Sequence, residues 1–409
     1  MKTEQNSPPL RFPNFNTDWQ VQSLGQIAEF SKGKGISKAD IADDGELQCI
    51  RYGELYTTYD ELIEDPISRT NLSLDDVILS KRNDVIIPAS GETHIDIATA
   101  SCVMKEGVAI GGDLNIIRSN VYGVFLSYYL NNARKRKIAS LAQGSSVVHL
   151  YATQLKTLKL RIPSREEQEQ IASFLWSVDE KIAQLSKKKD LLEAYKKGVM
   201  QKIFKQEIHF KDDNDKPFPN WKTKHFGEVF ERITRKNKEN NQNVMTISAQ
   251  QGLINQEEYF NKSVSAENIT GYYLLKKGEF AYNKSYSKGY PMGAIKRLKN
   301  YDKGVVSTLY ICFRVTGDNL GEFYDQYFDN GGLNREIHKI AQEGARNHGL
   351  LNVSVIEFFK DIKLPCPHPG EQKKIAEFLG ALDKKIDLVA DELKGAQAFK
   401  KGLLQQMFV

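Results

Sequence analysis

The stretch Glu167–Phe204, EQEQIASFLWSVDEKIAQLSKKKDLLEAYKKGVMQKIF, returns at Glu371–Phe408 as EQKKIAEFLGALDKKIDLVADELKGAQAFKKGLLQQMF. The offset (371 − 167 = 204) holds without a gap from the first residue to the last. Both copies read as helices. Ile171, Leu175, Val178, Ile182, Leu185, Leu192, Val199 and Ile203 step by threes, fours and sevens, with Lys189 and Lys196 on the same seam and charged residues outside it. The second copy repeats the stripe from Ile375 to Met407, with Lys400 matching Lys196.

Both helix starts are specified. Ser164 and Glu167 have the spacing of a capping box, the serine accepting from the third helical amide and the glutamate reaching back. Pro369 suits a first helical position, where a missing amide hydrogen costs nothing. At 1.5 Å per residue each helix is roughly 60 Å long, too long to bury its stripe against one small domain. The partner expected for each stripe is the other one, antiparallel, with about 160 residues between them as counted from the sequence. Two separate amphipathic core helices are the plainer alternative.

The 409 residues suit two to four domains. No run of eighteen apolar residues suggests a membrane span. The N-terminal MKTEQNSPPLRF lacks the apolar core of a signal peptide, so a cytoplasmic location is expected. Cys49, Cys102, Cys312 and Cys366 are scattered, which indicates neither a disulfide framework nor a zinc site. A net charge of +5 is only mildly basic; it is compatible with nucleic acid without demanding it. Basic clusters such as Arg134–Lys137 and Lys296–Lys299 occur in both halves. A solvated surface explains any one of them.

The repeat extends beyond the helices. Trp19, Leu24, Gly25 and Ile27 match Trp221, Phe226, Gly227 and Val229 at an offset of 202, so the two-residue difference from 204 lies in a loop inside the domain. Within 19–163, short β-type runs such as NDVIIPAS and GGDLNIIRS precede a helical VFLSYYLNNARKRKIASLA, a polar GSS loop and the strand LKLRIP. Residues 221–367 keep the order, through FAYN, GVVSTLYICFRV, the helical EFYDQYFDNGGLNREIHKIA and the strand KDIKLPCP. The fold class expected is α+β: two mainly-β modules, each followed by a long helix. Six segments follow: an N-terminal arm (1–18), a first module (19–163), a central helix (164–205), a linker (206–220), a second module (221–367) and a C-terminal helix (368–409).

The loop before each closing strand holds groups able to face a phosphate or a base edge: Ser145, Ser146 and His149 first, then Arg346, Asn347 and His348. Turn chemistry explains them equally well. Neither histidine sits among carboxylates or thiols at metal-ligand spacing. Other chemistry is missing: there is no GxxxxGK[ST] loop, no GxGxxG turn, and nothing closer to an amino-methyltransferase NPPY motif than Ser7-Pro8-Pro9-Leu10 in a polar tail. The reading is therefore of a binding protein, with no catalytic residue and no metal site of its own.

The doubled architecture, the signatures LKLRIPSREEQEQIASFL and IKLPCPHPGEQKKIAEFL, the endings KKGVMQKIF and KKGLLQQMF, and the entries at Trp19 and Trp221 together resemble the specificity subunit of a type I restriction-modification system, over about residues 18–409. GGDLNIIR, GLINQEEYF and FAYN also resemble segments of the family's target recognition domains. The resemblance implies a non-catalytic DNA reader: two target recognition domains on double-stranded DNA, with a pair of spacer helices fixing the unread gap. It also implies two modification subunits, which bind S-adenosylmethionine and methylate adenine at N6, and restriction subunits that use ATP and magnesium.

Phosphate contacts call for Lys and Arg, and base choice for groove-reaching donors and acceptors. The DNA-facing candidates are Arg51, Tyr52, Lys81, Arg82, Ser145, Ser146 and His149 in the first half, and Gln250, Gln251, Asn283, Lys284, Tyr286, Lys288, Arg346 and His348 in the second. Glu167, Gln168, Lys196 and Lys197 recur as Glu371, Gln372, Lys400 and Lys401, which marks them as candidate partner contacts. Two rival readings are a self-contained methyltransferase or nuclease and a coiled-coil adaptor without sequence preference. The first requires S-adenosylmethionine binding or DNA cleavage by the chain alone, the second binding that ignores sequence.

Overall fold

The computed structural model describes residues 7–248, 251–260, 268–286, 289–341 and 351–409. The chain divides into two compact units, Met1–Ser186 with Asp391–Val409, and Lys187–Ala390. The two long helices are Arg165–Phe204 and Pro369–Gln406. Called here the central and terminal helices, each begins in one unit and ends in the other.

The first unit is built on a five-stranded sheet in the order Ala28–Lys32, Leu114–Ser119, Asp84–Pro88, Ser101–Val103 and Leu62–Ile63. It is antiparallel except at the last pair. A four-stranded sheet carries Leu47–Ile50 and Ala109–Ile110 side by side in parallel. The closing strand Lys159–Ile162 pairs back on Gln20–Ser23, with Gln20 opposite Ile162. This returns the chain to its entry point just before the central helix begins.

One helix, Gly123–Asn131, braces the body, and its apolar residues face inward on every side. Phe125, Leu126, Tyr128, Tyr129 and Leu130 are wholly buried in a core that also takes Ile171, Leu175 and Val178 of the central helix, Leu403 of the terminal one, and Met407 and Phe408 just beyond its end. Fully burying a side chain of this size stabilises by about 1.5–3 kcal/mol, so the helices are part of the domain's core.

The second unit repeats the plan with a plainer sheet, Phe230–Ile233, Ile311–Val315, Phe280–Asn283 and Ala294–Arg297, antiparallel throughout. Lys222–His225 pairs with Lys363–Cys366 as entry and exit. The bracing helix is Gly321–Asp329, and its Phe323, Tyr324 and Phe328 share a core with Met200 and Ile203 of the central helix and Ile375, Leu379 and Leu382 of the terminal one. The start of the central helix thus lies with the end of the terminal helix, and the end of the central helix with the terminal helix's start. That is the order of an antiparallel pair.

Two expectations need correction. Gly123 and Gly321 open the bracing helices at an offset of 198, so the two-residue difference between 202 and 204 is the remainder of two opposite length changes, one on each side of that helix. The arm is also not a free polar tail. Leu10 N–H donates to the Gln406 carbonyl at 3.0 Å, and Phe12 meets Phe174 edge to face.

Candidate nucleic-acid interface and partner surface

The start of each long helix is tied to its domain by the same set of residues. Gln168 accepts from the Tyr122 N–H at 2.8 Å and donates to the Pro163 carbonyl at 2.9 Å. Gln372 accepts from the Leu320 N–H at 2.8 Å and donates to the Pro367 carbonyl at 2.9 Å. One amide thereby satisfies the first turn of the bracing helix and the end of the closing strand at once.

Glu167 accepts from the Trp19 indole at 3.3 Å and from Arg11 at 2.7 and 2.8 Å. Glu371 accepts from the Trp221 indole at 2.9 Å, and burial raises its carboxyl above the ordinary glutamate value although that hydrogen bond acts to lower it. The capping box forms only in half: Ser164 accepts from the Glu167 N–H at 3.3 Å, while the Glu167 carboxylate turns to Trp19 and Arg11.

Further along, two of the seam lysines, Lys196 and Lys400, reach acids of the facing helix, while Lys189 pairs with Glu193 of its own helix. Lys196 meets Asp383 at 2.5 Å, and Lys400 meets Asp179 at 2.6 Å, the same pair at the 204 offset. Tyr128 donates to Asp179 and Gln326 donates to Asp383 from the two bracing helices. Lys400 has a second acid, Glu61, at 3.6 Å. Burial acts to lower the Lys400 pKa, but Glu61 and Asp179 outweigh it and raise it. Burial raises the Glu61 carboxyl, with Lys400 working against the shift.

Of the eight partner candidates, Glu167, Gln168, Glu371 and Gln372 are therefore buried, and Lys196 and Lys400 are engaged internally. Their recurrence has an internal cause, and they are not free to dock a partner. Lys197 and Lys401 remain, both exposed. Ala194, Lys197, Gly198 and Gln201 lie one above another on the outer face of the central helix, and Ala398, Lys401, Gly402 and Gln405 repeat them on the terminal helix.

A Cβ added to Gly198 would meet nothing within 4 Å, so no internal contact requires glycine in this mid-helix position, where it costs about 0.5–1 kcal/mol relative to alanine. Beside each face lies a groove, of about 440 Å³ in the second unit and about 570 Å³ in the first. Lys197, Met200 and Gln201 line one, and Lys401, Leu404 and Gln405 line the other, each across from the turn that ends a bracing helix.

The DNA candidates of the first half fall into two places. Tyr52 packs edge-on to Tyr56, the Tyr56 hydroxyl donates to the Ser90 carbonyl, and Ser90 pairs with His149, whose ring stacks on Tyr151. Tyr52 and His149 are thus connected through these contacts, with Arg51 next to Tyr52 in the chain, while Ser145 and Ser146 are exposed in the loop that the Gln143–His149 bridge closes. Lys81 and Arg82 are exposed on the turn that Asn83 ties to the start of the bracing helix through Gly123 N–H. In the second half, Gln251 is exposed before the strand Gly252–Asn255, and Asn283 ends the strand Phe280–Asn283, with Lys284 and the exposed Tyr286 following it. Gln250, Lys288, Arg346 and His348 lie outside the described residues.

Among the described residues no group of three or more His, Cys, Asp or Glu could hold a metal ion, and no helix is long and apolar enough to cross a membrane. Burial pushes the Cys102 and Cys312 thiols up to about 12, which suits core residues and not nucleophiles.

Comparison with known proteins agrees with this architecture. The sequence model of the family described as Type I restriction modification DNA specificity domain matches twice, over residues 16–194 and 218–397. The type I restriction enzyme MjaVIII specificity subunit of Methanocaldococcus jannaschii is 24% identical over 436 aligned positions, covering 97% of this chain and 92% of that protein. A putative MjaX specificity subunit of the same organism is 26% identical over 220 positions, 49% of each chain. The crystal structure of a type I restriction-modification S subunit from M. genitalium shares the fold, with a TM-score of 0.60 at 15% identity over 98% of this chain and 99% of that one. The chain belongs to the family of type I restriction modification DNA specificity domains, and it carries two of them.

Proposed function

We propose that the chain is the DNA reader of a type I restriction-modification complex, its two recognition domains each taking one part of a split, asymmetric site. The observation that carries this reading is the duplicated joint. The same Trp, Glu and Gln set fastens both domains to the long helices, while the candidate reading residues differ between the halves. Equal frames with unlike surfaces suit two unlike half-sites, in the manner of a dimer whose halves have diverged. The helices act as spacers that set the unread gap.

Two modification subunits dock on the outer helix faces around Lys197 and Lys401, where a small-residue track beside each groove accepts a partner helix at close range. S-adenosylmethionine, ATP and magnesium belong to the modification and restriction subunits, and the complex works in the cytoplasm. Mapping methylated adenines in cells carrying this gene and its neighbours tests the proposal. A two-part asymmetric motif that disappears with the gene is expected; a continuous motif, or methylation indifferent to the gene, would overturn it. Lys197→Glu with Lys401→Glu is expected to release the modification subunits in a mass measurement of the complex, leaving the chain folded.

A further inference from the structure

Resting on the DNA-reading role proposed above, we infer that the cleft holding Arg51 in the first domain reads a guanine edge, with Arg51 the specificity-determining residue and Glu54 the residue that positions it. The cleft has a volume of about 550 Å³, and Ser37, Lys38, Arg51, Tyr52 and the Gly111–Gly112 backbone line it. Its floor is main chain brought to close range: a Cβ on Gly33 would lie 2.1 Å from the Gly111 carbonyl oxygen, and Gly111 N–H donates to the Ile50 carbonyl. A floor of this kind leaves room for a flat ligand edge and fixes the strand end that carries Arg51.

The arginine lines the cleft and is held from behind by one acid. Glu54, buried, accepts from the Arg51 N–H at 3.0 Å and from its guanidinium at 3.3 Å, and Ser68 holds the same carboxylate at 2.5 Å. The guanidinium Nε is buried and has no acceptor among the described residues, while the side chain as a whole is 28% exposed. A guanidinium has five N–H donors in a rigid fork and pairs bidentately with guanine O6 and N7, the commonest base-specific contact. Tyr52, 41% exposed, lines the same cleft and packs edge-on to Tyr56. An arginine needed only to brace its turn would not require a cleft in front of it.

The test is base preference read position by position, with the assembled complex challenged by duplexes in which each base pair of the mapped motif is changed in turn. Arg51→Ala is expected to lower discrimination about ten- to a hundredfold at one G·C pair of one half-site and to leave the other half-site intact. Arg51→Lys keeps charge and stem but loses the fork, and should relax the same position; Glu54→Gln should relax it less. An unchanged motif in Arg51→Lys overturns the inference, as does a loss spread evenly over all positions in both arginine variants. A split motif with no G·C pair in either half would overturn this inference alone, whereas an unsplit motif would overturn the proposed function.

Discussion

Lys196 and Lys400 occupy the same place in two copies of one helix, yet their surroundings differ. Lys400 lies between two acids, Asp179 and Glu61, which are 16% and 13% exposed, while among the described residues Lys196 pairs with Asp383 alone, 38% exposed. The shared pair links the helices to each other. Glu61 comes from the first recognition domain, just before the strand Leu62–Ile63, so among the described residues it is the first domain's body that adds a charge to this lysine pair. Duplication has kept what joins the helices and let each domain add its own fastening.

The broadest way to break the likeness of the halves is to change the frame itself. Adding one heptad to both helices preserves the apolar register and lengthens each by about 10 Å, near three base pairs. The methylation motif is expected to keep both half-sites and widen its gap by that amount, as mapped adenines will show; an unchanged gap removes the spacer role.

Removing the lysines sharpens the contrast. Lys400→Ala leaves two largely buried carboxylates facing each other and should cost about 3 kcal/mol in urea unfolding. Lys196→Ala leaves one acid that water reaches and should cost about 1 kcal/mol. Equal losses would mean that Glu61 contributes nothing.

The glutamines should behave alike in both halves. Gln168→Leu and Gln372→Leu each strand one backbone N–H and one carbonyl, and each should cost about 2 kcal/mol. Amide exchange is expected to accelerate at Tyr122 in the first variant and Leu320 in the second.

The smallest effect is in pH. Burial raises Glu61 above the ordinary carboxylate range, so the folded chain holds that proton more tightly than the unfolded one. Its contribution to stability is present below the unfolded value and lost as pH rises through the raised one. Glu61→Gln should therefore flatten the fall in urea midpoint as pH rises above 4.5. An unaltered slope would place the proton elsewhere.

The long helices were legible because period and repetition agreed over forty positions, and their pairing followed from stripes too long to bury alone. The roles of Glu167 and Gln168 were not. Recurrence reports a constraint without saying which side of the helix bears it, and a glutamate in a first turn reads as surface. The signal that could have corrected this was Trp19 with Trp221: an indole kept in both halves needs an acceptor, and a carboxylate kept in both halves supplies one. Sheet order was out of reach because pairing depends on contacts distant in sequence, and Arg51 was visible only as a basic residue until Glu54 and the Gly33–Gly111 approach gave it a direction.

The glutamine joint has a consequence for how such chains change. It asks of the attached body only a main-chain N–H where a bracing helix begins, a proline carbonyl where the last strand ends, and an indole near the entry. None of these depends on what the body's far surface touches. Bodies with unrelated tastes could be exchanged at this socket like cartridges, so that new specificities arise by trading whole modules while the mount stays as it is.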